Sequence, residues 1–170
     1  KLHYLIITGD IANTATTEEY DAAYGLVCSL VKGFGLALER VIVVPGNHDV
    51  SWDITEGSYS YYPKRKIPNH LPSEGVIPLG NSGVLVRNEE ENRRKFYIFS
   101  DAFYKKLGKK TDYPLDYGEQ GILYAFEDDR LLFLGLNSCW QLDHECPDQA
   151  GINQVALSEA ICKLNEGKYD

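Results

Sequence analysis

Two apolar runs with one amphipathic helical period between them constrain this chain more than any other feature. The first run, residues 2–8, reads Leu-His-Tyr-Leu-Ile-Ile-Thr and stops at Gly9-Asp10. The second, residues 41–44, is rich in valine and isoleucine and stops at Pro45-Gly46-Asn47-His48-Asp49. Short, nearly continuous apolar runs predict strands buried on both faces. Between them, Thr16 and Glu19 have the spacing of a capping box. Tyr20, Ala23, Tyr24, Val27, Leu30 and Val31 then recur on one helical face, and Gly33 and Gly35 offer the stop. Strand, helix and strand in this order make a β-α-β unit, whose two parallel strands end at one edge of one sheet. That edge is where open α/β sheets carry their ligands. Asp10 and Asn47 are therefore expected to meet in space.

The rest of the chain is less regular. Residues 51–88 hold Tyr59, Tyr61, Tyr62 and four prolines (Pro63, Pro68, Pro72 and Pro78), and no helical or strand period persists there. This composition predicts an ordered loop or small cap packed by its aromatics rather than a linker. Residues 89–107 read as a helix with Phe96, Phe99, Phe103 and Leu107 on one stripe. The runs 122–126 and 131–137 flank Glu127-Asp128-Asp129-Arg130 and predict a hairpin. Residues 152–164 predict an amphipathic helix carrying Val155, Ala156, Ile161, Cys162 and Leu164. The fold class is α/β, a mixed sheet with helices outside, and 170 residues suffice for one domain with a core.

Composition limits the partners. A formal net charge of −8 without a basic stripe disfavours nucleic acid. No apolar run reaches transmembrane length, so no membrane partner is expected. The four cysteines, Cys28, Cys139, Cys146 and Cys162, form no CxxC pair. Cys28 and Cys162 are expected as buried free thiols, in keeping with a reducing, cytoplasmic setting. The chain holds no methionine and opens inside an apolar run. It reads as an internal piece of a longer protein, with other domains of that protein as its neighbours.

The chemistry concentrates at the two strand ends. Asp10 is a hard oxygen donor beside a glycine that lets backbone come close; alone, the pair reads as a turn or cap aspartate. Asn47 offers a neutral amide oxygen to a cation. His48 can donate a proton or stabilise developing charge. Asp49 can hold the imidazole in one tautomer, as carboxylates do behind many catalytic histidines. Other polar residues carry weaker readings. His144 reads as a solvated loop residue or a substrate-rim residue, His3 as a packed or partly exposed histidine, and His70 as surface. Trp52, Tyr59, Tyr61 and Tyr62 either wall a cleft or pack a cap. Asn137 sits at a strand end, and Lys64-Arg65-Lys66 reads as a solvated face.

With Gly9-Asp10 and Gly46-Asn47-His48-Asp49 in order at two strand ends, the sequence resembles the calcineurin-like metallophosphoesterase superfamily. That family's signature runs Asp-x-His, Gly-Asp, Gly-Asn-His-Asp/Glu, a lone His, and Gly-His-x-His. The first, fourth and fifth blocks are absent from this chain. The resemblance implies a two-sheet sandwich flanked by helices, here incomplete at both ends, as a single partial domain with an insertion or cap at about 51–121. It implies Asp10 as a bridging ligand of two divalent ions (Mn, Fe or Zn), Asn47 as a ligand of the second, His48 at the scissile phosphate and Asp49 orienting it. The implied activity is hydrolysis of a phosphate mono- or diester by a metal-activated hydroxide, with a phosphate-ester substrate as partner. The alternative is a metallophosphoesterase-like scaffold or sensor domain without catalysis.

Overall fold

Strand β1 (Leu5–Ile7), helix α1 (Thr17–Phe34) and strand β2 (Val41–Val43) form the expected β-α-β unit. The strands pair in parallel with Leu5 opposite Val41 and Ile7 opposite Val43. These elements belong to a computed structural model in which residues 2–167 are described. The α1 start follows from its cap: Thr16 accepts from the Glu19 amide, and Glu19 reaches back to the Thr16 amide. Gly35 ends it at φ +63°, a left-handed conformation that glycine adopts without strain.

The side chains of Val41 and Val43 lie with Tyr20, Val27 and Val31 of α1 in the main core. The free edge of β2 meets a hairpin. Strands β6 (Gly121–Phe126) and β7 (Leu131–Leu136) pair antiparallel, with Tyr124 opposite Phe133. Tyr4 packs edge-on against Phe126 and tilted against Phe133, and the Tyr124 hydroxyl donates to the Val43 carbonyl at 2.9 Å. Helix α4 (Gln154–Asn165) covers the far face of the hairpin, where Gly121 admits Ala156 and Ala160 at close range. Helices packed on several small sheets make the mixed α/β architecture expected from the sequence.

Three expectations change. β1 is not buried on both faces: Ile6 is 52% exposed, whereas Ile42 opposite it in β2 is buried. The α4 face that packs is the small one, Ala156 and Ala160, while Val155, Ile161, Cys162 and Leu164 are exposed. The close approach of α4 to Gly121 leaves room only for small side chains there. Of the cysteines, Cys139 is the buried one, Cys28 is half-buried and Cys162 is exposed; all four are free thiols.

Residues 51–88 are more regular than their composition suggests. Helix α2 (Trp52–Gly57) leads into β3 (Tyr59–Pro63), and β4 (Val76–Pro78) and β5 (Gly83–Arg87) complete an antiparallel sheet of order β3-β5-β4. Two strands end in proline at the sheet's outer positions, which hides their period from a sequence reading. Helix α3 (Glu89–Arg93) then continues through tighter and wider turns to Leu107. Its expected stripe, Phe96, Phe99, Phe103 and Leu107, is fully buried. Phe99 and Phe103 contact Tyr20 of α1 and with Leu107 join the main core.

Candidate active site

The loops after β1 and β2 lie side by side. Gly9 has φ +109°, and a Cβ there would fall 2.6 Å from the Gly46 Cα, so only glycine allows this approach. Asp10 follows at φ +55°, a left-handed conformation that aspartate tolerates better than most residues. Its carboxylate accepts from the His48 amide at 3.2 Å. Asp10, Asn47 and His48 are exposed, whereas Asp49 beneath them is fully buried. The two motifs thus become one surface, with oxygen donors and an imidazole above a buried carboxylate.

Asp49 does not orient His48. Its carboxylate accepts from the amides of Gly46 (2.8 Å), Ala12 (3.1 Å) and Ile11 (3.3 Å) and from the Tyr20 hydroxyl (3.1 Å). Four donors drawn from both loops and from α1 occupy it, so the expected tautomer-fixing role is corrected. Burial raises the Asp49 carboxyl above its ordinary range, while these hydrogen bonds act in the opposite direction. Asp49 ties the loop carrying Asp10 to the loop carrying Asn47. The imidazole is held instead by Asn13: His48 Nδ1 donates to the Asn13 carbonyl at 2.9 Å. That bond places a proton on Nδ1 and leaves Nε2 as the nitrogen available to a substrate.

A second polar cluster braces the loop after β7. Asp143, fully buried, accepts from the Tyr59 hydroxyl and from Arg87, each at 2.9 Å. Burial alone would raise its carboxyl, but the Arg87 and Tyr59 hydrogen bonds outweigh it and hold the carboxyl below its ordinary range. Lys95 is 1% exposed and donates to the Leu142 carbonyl at 2.7 Å and to Asn92 at 3.2 Å. Desolvation pulls its ammonium down to about 7. The Lys95 carbonyl in turn accepts from the Ser51 amide, two residues past Asp49. The cluster therefore connects β3, β5 and the loop at residues 139–146 to the segment leaving the His48 loop. A lysine and an aspartate inside a polar sequence have no period that marks them as buried, so only the structure reveals them.

The remaining sequence candidates separate clearly. His144 rests edge-on against Tyr59 and lies 3.4 Å from Thr55 Oγ1 and from Glu145. Asn137 is buried and spent on structure: its amide donates to Gln120 at 2.8 Å and its oxygen accepts from the Cys139 amide at 2.7 Å. His3, His70, Lys64, Arg65 and Lys66 are exposed. Tyr61 donates to Ser82 of its own sheet, and Tyr59 is committed to Asp143.

Asp10 and Asn47 offer the hard oxygens that suit a divalent ion. Among the described residues, no group of three or more His, Cys, Asp or Glu side chains is assembled for a metal. The donor set fits a metal site in part, and further ligands are needed to complete a shell. No described helix is long and apolar enough to cross a membrane.

Comparison with known proteins agrees with the geometry. A family model for calcineurin-like phosphoesterase matches residues 1–144. An uncharacterized metallophosphoesterase-like protein of Bacillus subtilis (strain 168), YydB, is 30% identical over 168 residues, which is 97% of this chain and 31% of that protein. The chain thus spans about a third of the length of the curated relative it matches. No solved structure matches.

Proposed function

The chain belongs to the calcineurin-like phosphoesterase family, and on that premise we propose that it supplies part of a metal-dependent site that hydrolyses a phosphate mono- or diester. The observation that supports this reading is the union of the two loops, in which Asp10, Asn47 and His48 share one exposed surface over the Asp49 staple. Asp10 and Asn47 would be this chain's share of the ligands to two divalent ions, with manganese, iron and zinc all compatible with such donors. The other ligands would come from a longer polypeptide. When bound, such ions neutralise the phosphoryl oxygens and activate the attacking water.

The chain's own residues perform the rest. His48, fixed through Nδ1, faces the phosphate with Nε2 and can hold or release a proton at the leaving oxygen. Asp49 and Tyr20 keep the two loops in register. The test is release of p-nitrophenol from p-nitrophenyl phosphate and from its bis-ester by the complete polypeptide, with Mn²⁺ added and then chelated. Metal-dependent release of p-nitrophenol is the expected result. Tight binding of two ions without turnover of either ester would assign the domain a scaffold role instead.

A further inference from the structure

A pocket of about 200 Å³ lies between the β2-facing side of β6 and the segment that follows Leu107. Ile122, Tyr124 and Phe126 form one wall and Tyr104 another, with Lys109 among the lining residues. The polar atoms of the aromatic wall are already committed: Tyr104 and Tyr124 bond through their hydroxyls at 3.2 Å, and Tyr124 donates onward to the Val43 carbonyl. What these residues present to the space is ring surface.

Lys109 is the exception. Its ammonium donates to the Val41 carbonyl, lies 3.4 Å from the Glu39 carbonyl and sits 5.2 Å from the Tyr124 ring centre. No carboxylate among the described residues forms an ion pair with it. Desolvation lowers it to about 8, and the charge of the Glu39 carboxylate opposes that shift only in part. The Glu39 carboxylate also borders the pocket, but it is exposed and screened by solvent.

We propose that this pocket binds a small aromatic carboxylate, its ring against Tyr124 and Phe126 and its carboxylate on Lys109. Size and charge both select this class. An apolar cavity of ~150 Å³ takes a benzene ring, so the volume here admits a ring with a short acid chain but not a nucleotide. A neutral ring would fill the space and leave Lys109 unpaired. Lys109 and Tyr124 of the pocket wall donate to the Val41 and Val43 carbonyls of β2, the strand that delivers Asn47 and His48, so an occupant would brace that strand along its free edge.

The experiment is a titration of the isotope-labelled chain with 3-phenylpropionate and with 3-phenylpropan-1-ol, followed by amide chemical shifts. Saturable shifts are expected at residues 104–111 and 122–126, with the acid at least tenfold tighter than the alcohol. Lys109→Gln should bring the two within twofold. Equal affinities in the unaltered chain, shifts centred elsewhere, or no saturable shift would each overturn the proposal. The acid–alcohol comparison decides it even if the variant does not fold.

Discussion

The His48 imidazole is fixed by a backbone carbonyl: Nδ1 donates to the oxygen of Asn13 at 2.9 Å. A backbone partner cannot be removed by side-chain substitution, which gives a sharp expectation. In the complete polypeptide, His48→Gln should lower turnover by roughly 10²–10⁴-fold, the range of general acid–base contributions, while metal stoichiometry is kept. Asn13→Ala should leave turnover within about threefold, since the exposed Asn13 side chain takes no part in the bond. A large loss in Asn13→Ala, measured by steady-state kinetics, would show that its amide is used after all.

Asp49 and Tyr20 form the buried tie between the loops. Asp49→Asn turns an NH₂ group toward donors that expect an acceptor, and should cost roughly 2–4 kcal/mol. Tyr20→Phe removes one of four donors to that carboxylate and should cost about 1 kcal/mol. Urea unfolding midpoints check both. An Asp49→Asn variant as stable as the parent would mean that the Asp10–His48 bond and the close packing at Gly9 and Gly46 hold the loops without the Asp49 charge.

The β-α-β unit, its capping box and the hairpin were legible because each repeats a local signal: an apolar run, a helical period, a polar turn. So was the meeting of Asp10 with the Asn47 loop, because parallel strands bring their ends to one edge. The role of Asp49 was not legible. Next to a histidine in sequence it reads as that histidine's partner, but the tight turn over Asn47–Asp49 sends consecutive side chains opposite ways, His48 outward and Asp49 into the core. The sheet β3-β5-β4 was hidden by prolines at its edges. Lys95 was hidden because its burial depends on Asn92 and Leu142, partners that no period in the sequence announces.

Lys95 predicts a pH dependence of stability. Its folded value near 7 lies below the 10.5 of a free lysine. Between those limits the unfolded chain binds a proton that the folded chain does not, so stability rises with pH, by up to about 1.4 kcal/mol per unit. Below pH 7 both states are protonated and the full burial cost of the ammonium is present. Lys95→Met should remove this slope. The difference in unfolding free energy between parent and variant should therefore shift in the parent's favour from pH 7 to pH 10. A constant difference across that range would place the Lys95 ammonium in contact with solvent.

Asp10 sits at a left-handed backbone position, which decides how its role can be tested. Alanine there would add strain and confuse loss of a ligand with loss of the loop. Asparagine tolerates the same conformation and keeps an oxygen for the His48 amide, so Asp10→Asn removes charge and little else. Its unfolding free energy should stay within about 0.5 kcal/mol of the parent, as for other exposed substitutions. Manganese retention by the complete polypeptide after dialysis should nonetheless fall, with both ions affected if the carboxylate bridges them. Loss of one ion would make Asp10 a ligand to a single metal. Two ions retained at unchanged affinity would remove Asp10 from the metal site altogether, and the proximity of the two loops would then need another purpose.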